Sequence, residues 1–383
     1  GVVFSRNLTT TTGSLVLEGD ADGAPDSLDN ISFTAGLTIS SGNTLTLDAT
    51  TGNITGAGAL TLNAADGITI NDDVTTAGAL TVNSDTDGAD NVGLLTVNAA
   101  ISSTNTTIAI TADDIDLTNG SLNSGLNATT IADSDGTGIG VGDTAGGLTL
   151  SDSELGSITA TGLNLTTSGS ISVDNVTAAN TVTISGVTFL DAGVNTTFVN
   201  NDSTFTNALS VDAENSISAS QNVTSSLSSL LLDGNVSISL AADITLNANG
   251  DSLTLTAANG NITGAGALTL TAVDGITINN NLTTFGALTL NSDVGGGDNV
   301  GLLDVNAAIS STNTTIAITA DNIDLTGGSL NSGTASITIT DSDGTGVGLG
   351  DTSIANGLHL SDAELGSITA TGLNISTAGS VTV

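Results

Sequence analysis

Apolar residues in this chain recur as pairs two positions apart: Leu15/Leu17, Leu37/Ile39, Leu45/Leu47, Leu60/Leu62, Ile68/Ile70, Leu80/Val82 and Ile108/Ile110. Alternation over three to five residues puts every second side chain on one face, the pattern of a short strand with one buried side. Clusters such as NAADG and TTAG separate the pairs, and Gly, Asn, Asp and Ser all favour turns. The pairs that begin at Leu15, Leu37, Leu60 and Leu80 follow one another at an interval of roughly 20–23 residues. Such a unit is too short for a domain and too regular for a sandwich. It suits one coil of a parallel β-helix, with two or three short strands per coil. The expected fold is therefore all-β: a right-handed parallel β-helix (β-solenoid) with coils of about 20–23 residues, within a tandem array. Stacked at ~4.8 Å per coil, about 17 coils would make a rod of roughly 80 Å.

A second, longer repeat overlies this rhythm. NAAISSTNTTIAITAD at Asn98–Asp113 returns unchanged at Asn306–Asp321, and GNITGAGALTL at Gly52 returns at Gly260, a shift of 208. Asn91–Gly125 and Asn299–Gly333 differ at three places only: Thr96/Asp304, Asp114/Asn322 and Asn119/Gly327. SLVLEGD at Ser14 aligns with SLLLDGN at Ser229, a shift of 215, so the first copy carries about seven extra residues near Pro25. Residues 1–215 read as a first long unit, and 216–383 as a second, truncated unit continuous with it. Both ends, GVVF and SVTV, fall within strand pattern, which leads one to expect flanking repeats or end-to-end joining of copies.

Composition narrows the partners. Lys plus Arg total 1 against 39 Asp plus Glu, a formal net charge of −38. Such a chain is repelled by nucleic acid and by anionic lipid, so neither is an expected partner. The absence of Cys excludes disulfides and thiolate metal sites. No apolar run approaches the ~18 residues of a membrane span, and GVVFSRNL lacks the regions of a signal peptide. With 48 Gly, one Pro and no Trp, Tyr or Met, the alphabet is one of strands and turns around a narrow aliphatic core. Asn63, Asn83, Asn98, Asn291 and Asn306 each follow a strand. They can stack as amide ladders from coil to coil or serve as ordinary turn residues.

The GNITGAGALTLNAADGITI style of repeat resembles the filamentous-haemagglutinin-like family, giant secreted or surface β-helical proteins of bacteria, often exported by two-partner secretion. The family's secretion domain is not visible in these residues. The resemblance implies a non-enzymatic extracellular rod at the bacterial cell surface, used for adhesion or matrix building. Its partners would be itself, flanking repeats, or cell-surface or matrix glycans, without membrane insertion. A self-assembling subunit of an extracellular filament, sheath or matrix fibre is the alternative.

The densest acidic spots are DSDGTGIGVGDT at Asp133 and DSDGTGVGLGDT at Asp341. Carboxylates at alternate positions around a Gly turn can converge on Ca²⁺, which takes six to eight oxygens. Asp133, Asp135 and Asp143, with Asp341, Asp343 and Asp351, are the candidate ligands, although Thr144 stands where a calcium loop places its bidentate acid. The competing reading is that Asp merely bonds its own turn. SDTDGADN at Ser84 becomes SDVGGGDN at Ser292, losing Asp87, and is the weaker candidate. EGDADGAPD at Glu18 reads as a solvated loop. Acidic residues stacked ~5 Å apart would repel by roughly 0.8 kcal/mol per pair even in water, so salt or divalent ions must balance the rows.

His359 and Arg6 have no counterparts in the other copy, where Thr149 and Gln221 stand, and His359 should point outward between inward Leu358 and Leu360. A polysaccharide-active β-helix enzyme would need basic residues for a uronate or aromatic platforms for sugar, and both are scarce. A carboxylate pair alone could still support glycoside hydrolysis. Outward threonines at Thr44/Thr46, Thr254/Thr256 and Thr338/Thr340 would also suit an ice-binding face, or simply a strand.

Overall fold

The computed structural model of the chain describes residues 1–20, 29–88, 90–297 and 299–383. Most of the EGDADGAPD loop, with Pro25, lies outside the described residues, as does Asp298. The fold is all-β, 50% strand and 3% helix, with parallel sheets stacked as a β-solenoid of about 13 turns. Two compact units, Gly1–Gly193 and Val194–Val383, divide the chain ahead of the sequence repeat boundary at 215/216. A tandem repeat can be cut at any phase, whereas compactness follows contacts between coils.

In the first unit three parallel stacks form the faces of each coil. One runs through Ile31–Phe33, Ile54–Gly56, Val74–Thr76 and Ala100–Ser103; the next through Leu37–Ser41, Leu60–Ala64, Leu80–Asn83 and Ile108–Ala112; the third through Leu45–Asp48, Ile68–Ile70 and Leu94–Val97. Register is strict. Ile39, Leu62, Val82, Ile110, Ile131, Leu165 and Leu190 form one inward column, each residue opposite the next. All seven are fully buried. Alternation sends Thr38, Thr61 and Thr81 outward in a parallel column. The second unit repeats the plan, with Leu246, Leu270, Leu290, Ile318 and Ile339 as the corresponding buried column.

The turn count is lower than about 17 because coils differ in length. Ile31, Ile54 and Val74 are successive partners in one stack, at the interval the sequence rhythm indicates. The coil from Val74 to Ile101 is longer, however, and that from Leu122 to Ile158 longer still. The second unit has the same long coils, from Leu282 to Ile309 and from Leu330 to Ile368. The extra residues are excursions: SDTDGADN in the first case, and in the second an added layer of strands, Ile139–Gly142 and Leu148–Leu150, followed by the short helix Asp152–Leu155.

That helix anchors the longest excursion. Ser151 caps it, accepting from the Glu154 amide at 3.3 Å, while Glu154 Oε2 accepts from the Ser151 amide at 2.9 Å. Glu154 Oε1 also accepts from the Leu117 amide at 2.8 Å, joining the helix to the preceding coil. Ser361 and Glu364 repeat the arrangement, with Leu325 as the third partner. Both glutamates are thus occupied as structural acceptors.

Amide ladders occur, but for part of the Asn set. Asn98 Nδ2 donates to Asn71 Oδ1 and Asn71 Nδ2 to Asp48 Oδ2, both at 3.0 Å. Asn306 donates to Asn279 at 3.1 Å, and Asn279 to Thr256 at 3.0 Å. Asn83 and Asn291 instead accept from amides two residues on, those of Asp85 and Asp293, as turn residues do. Seven of the non-glycine residues with positive φ are Asn, among them Asn105 and Asn313 of the duplicated motif. The left-handed region tolerates Asn better than other side chains.

Candidate functional site

Three pairs of positions separate structural carboxylates from the rest. Asp72 of the first copy corresponds to Asn280, Asp73 to Asn281, and Asp114 to Asn322. Asp72 and Asn280 both accept an amide of the preceding coil, from Ala49 and Ala257. Asp73 accepts from Ala100 at 2.9 Å and Asn281 from Ala308 at 3.1 Å. Asp114 accepts from Thr149 at 2.8 Å and Asn322 from His359 at 3.0 Å. A neutral amide does the same work, so an acceptor is required at these places and a charge is not. Burial accordingly pushes the Asp114 carboxyl up, against the amides of Thr149 and Ile115 that hold it down.

The Asp133 turn divides the sequence-predicted ligands. Asp133 Oδ2 accepts from the Gly138 amide at 2.8 Å and Thr167 Oγ1 at 2.6 Å, and its Oδ1 is buried without a partner. Asp135 Oδ1 accepts from the amide and hydroxyl of Thr137, at 2.9 and 2.8 Å. The two carboxyls lie within hydrogen-bond reach of each other. Burial pushes Asp133 up; Asp135 stays below the usual range because Thr137 and Asp133 outweigh its own burial. Asp341 and Asp343 repeat the pair, Asp341 accepting from Gly346 at 2.9 Å and Thr377 at 2.5 Å, and Asp343 from Thr345. Asp341 Oδ1 and Asp343 Oδ2 are buried without partners.

Asp143 does not join them. The strand Ile139–Gly142 intervenes, which at ~3.3 Å per residue carries Asp143 about 13 Å along the coil. There Asp143 Oδ2 accepts from Asn175 Nδ2 at 2.6 Å. Asp351 likewise lies past its own strand, Gly346–Leu349. Ile139–Gly142 and Gly346–Leu349 pair as strands, so these stretches do not close into a single loop.

Among the described residues the group of acidic ligand atoms gathered closely enough for one ion is elsewhere: Asp66, Asp87 and Asp90, all within 4.8 Å of one another. Asp66 is half-buried in the turn after Leu60–Ala64; Asp87 and Asp90 are exposed in the turn one coil later. The Thr86 amide ties these turns together by donating to the Ala64 carbonyl at 2.9 Å. Beneath them lies Asp85, 3% exposed, whose Oδ1 accepts from Gly88 at 2.8 Å and whose Oδ2 is buried and unpartnered. Asp113 of the next coil, 7% exposed, gives Oδ1 to Ser134 Oγ at 2.9 Å and also has an unpartnered Oδ2. A hydrogen bond shared with Asp85, together with lost solvent and the charges of Asp90 and Asp85, pushes the Asp87 carboxyl up. Burial pushes Asp113 up against the Ser134 hydroxyl, with Asp85 and Asp135 adding to it. Carboxylate oxygens no more than 4.8 Å apart repel by at least about 0.9 kcal/mol per pair even in water.

Stacked acids of the expected kind also occur elsewhere in the chain. Glu18 faces Asp48, Asp212 faces Asp233 and Asp304 faces Asp324.

His359 points outward as expected, between fully buried Leu358 and Leu360, and its Nε2 bonds the Gly350 carbonyl at 3.0 Å. It borders a shallow cavity of about 330 Å³ with Asp321, Asn322 and Asn356. A larger groove in the second unit, about 620 Å³, is walled by Phe198, Ala219, Leu240, Ala241, Ala265 and Phe285. Phe285 is 63% exposed and stands where the first copy has Ala77. Among the described residues no helix is long and apolar enough to cross a membrane. The sequence matches no family model, and no curated protein or solved structure is significantly similar to it.

Proposed function

We infer that the chain is a non-enzymatic structural segment of an extracellular, bacterial surface β-solenoid array, of the kind its resemblance to filamentous-haemagglutinin-like proteins implies. One observation carries this reading: both copies of the long repeat put the same side chains on equivalent rungs. The buried column through Leu62 and Val82 reappears through Leu270 and Leu290, and the ladder ending at Asn98 reappears at Asn306. Duplication has preserved stacking positions, while the one imidazole, His359, has no equivalent and bonds a backbone carbonyl. Cations, Ca²⁺ among them, balance the acidic rows in this reading, with the Asp133–Asp135 and Asp341–Asp343 turns as points of contact.

Electron microscopy of the purified protein tests the proposal. Separate slender particles support a stalk or scaffold segment, and continuous fibres support the self-assembling alternative. Compact globules, or release of reducing sugar from acidic or neutral polysaccharides, would overturn the structural reading.

A further inference from the structure

We propose that Asp66, Asp87 and Asp90, backed by the buried Asp85 and Asp113, form a Ca²⁺ site that clamps two successive turns of the first unit. The acidic trio alone would not carry this, because exposed carboxylates often gather without an ion. The buried oxygens beneath it do. Asp85 Oδ2 and Asp113 Oδ2 lie in side chains more than nine-tenths buried, and each is without a hydrogen-bond donor. The Asp85 carboxylate lies within hydrogen-bond reach of those of both Asp87 and Asp113. A buried carboxylate oxygen lacking a donor is costly unless a cation meets it, and the chain's one basic side chain is Arg6.

The ligand chemistry favours Ca²⁺. Oxygens bound to one Ca²⁺ at about 2.4 Å can be no farther apart than about 4.8 Å. The oxygens of Asp66, Asp87 and Asp90 all lie within 4.8 Å of one another. All the donors are oxygen, the ligands come from turns rather than rigid strands, and two of them are open to solvent that can complete the shell, conditions that suit Ca²⁺.

Backbone contacts hold the pocket's floor independently of any ion. Ser84 Oγ donates to the Gly93 carbonyl at 2.6 Å and the Asp113 amide to the same carbonyl at 3.2 Å. A Cβ on Gly93 would lie 2.3 Å from Asp85 Cβ, so glycine is what allows Asp85 its position. The second copy keeps Asp274, Asp293 and Asp321 but has Gly295 in place of Asp87. The full ligand set therefore belongs to the first unit, although Asp293 keeps the same buried, unpartnered oxygen in the second, and the proposal does not depend on the structural role inferred above.

The test is calorimetric titration of CaCl₂ into the EDTA-treated full chain at physiological ionic strength, where diffuse binding to the net charge is screened. One saturable equivalent is expected to be lost in Asp87→Asn/Asp90→Asn and kept in Asp212→Asn/Glu214→Gln, which removes the same charge from exposed positions of the second unit. Asp90→Asn alone should weaken the affinity at least tenfold. Melting of each variant in EDTA should match or exceed that of the parent, showing that lost binding is not lost folding. Absence of saturable uptake by the parent, equal loss in the control variant, or the full stoichiometry surviving in the double variant would overturn the site. Equal affinity for MgCl₂ would overturn the assignment to Ca²⁺.

Discussion

Replacing Asp233 by Asn should stabilise the protein, and the pair it belongs to allows the effect to be worked out. Asp233 in Leu230–Gly234 stands directly opposite Asp212 in Leu209–Ala213. Burial, and then the Asp212 charge, push the Asp233 carboxyl up. Adjacent parallel strands lie ~4.8 Å apart, so the charges repel by about 0.8 kcal/mol at the dielectric of water and about 3 kcal/mol at an effective value of 20. Asp212 is exposed and Asp233 half-buried, so the lower end applies. Asp233→Asn should gain about 0.5–1 kcal/mol, or about 1–3 °C in Tm, and its amide can also donate to Asp212.

The pH dependence has a definite sign. Because the folded-state pKa lies above the unfolded one, the penalty is absent where Asp233 is protonated in both states. It grows as pH rises through the unfolded and then the folded value, and is complete above both. Calorimetric melts of parent and variant should coincide at strongly acidic pH and separate toward neutrality. The gap should shrink from about 0.01 M to about 1 M salt, as the Debye length falls from ~30 to ~3 Å. Asp212→Asn should give a similar gain, since either change removes the same pair. A gain that is absent at neutral pH and low salt, or that persists unchanged in acid or high salt, would refute the charge-based account.

Other perturbations probe different parts of the fold. Leu62→Ala, in the middle of the first unit's buried column, should cost about 3 kcal/mol in chemical denaturation, through lost burial and a cavity the stacked neighbours cannot fill. Asn71→Ala breaks both hydrogen bonds of the Asp48–Asn71–Asn98 ladder and should cost about 1 kcal/mol. Asn71→Asp should be worse, because it sets a carboxylate against Asp48, whereas on the preceding coil Asn279→Asp faces the Thr256 hydroxyl; thermal melts of the two variants should rank them so. Gly142→Ala should cost about 2 kcal/mol or more, since φ is +83° there and the new Cβ would meet the Asp174 carbonyl oxygen at 1.8 Å. Its soluble yield and melting temperature should both fall.

The sequence made the stacked aliphatic interior legible because inward positions repeat at a fixed interval. Leu60/Leu62 and Leu80/Val82 occupy the same rung positions in the fold that their spacing indicates. It was less informative about coil length. SDTDGADN and the stretch from Asp133 to Leu155 leave the periodic path and return to it, and a strand-pair interval cannot reveal such detours. The same detour separated Asp143 from Asp133: Ile139–Gly142 reads as part of a glycine turn but pairs as strand with Leu148–Leu150 and Ile171–Asp174. Asp66 was missed for the opposite reason. It lies far from Asp87 along the chain, yet the interval between them is close to that from Leu60 to Leu80, which is one coil. In a solenoid, ligands should be sought one period apart as well as within a loop.

The duplicated NAAISSTNTTIAITAD shows what such a period fixes. Asn98 and Asn306 hold their ladders; Ile101 and Ile309 fill the interior; Ser103 and Ser311 close the next turn on the carbonyls of Thr106 and Thr314. Asn105 and Asn313 then take positive φ, and each offers Oδ1 to an amide of the following coil, that of Leu126 at 3.2 Å and of Thr334 at 3.0 Å. Leu126 and Thr334 differ, whereas the asparagines do not. The donor is a backbone amide that any residue but proline supplies, and the acceptor is a side chain that must also tolerate a left-handed backbone. Substitution is therefore tolerated on the side of the contact made by main chain and resisted on the side made by side chain. The same asymmetry accounts for Asp72 and Asn280, where two side chains supply one acceptor to the amides of Ala49 and Ala257. Asp85 and Asp293 fall outside this rule, because an amide at either position could accept from Gly88 or Gly296 equally well. Retention of the carboxylate in both copies, with its second oxygen buried and unpartnered, points to a demand for charge that no hydrogen bond within the chain accounts for.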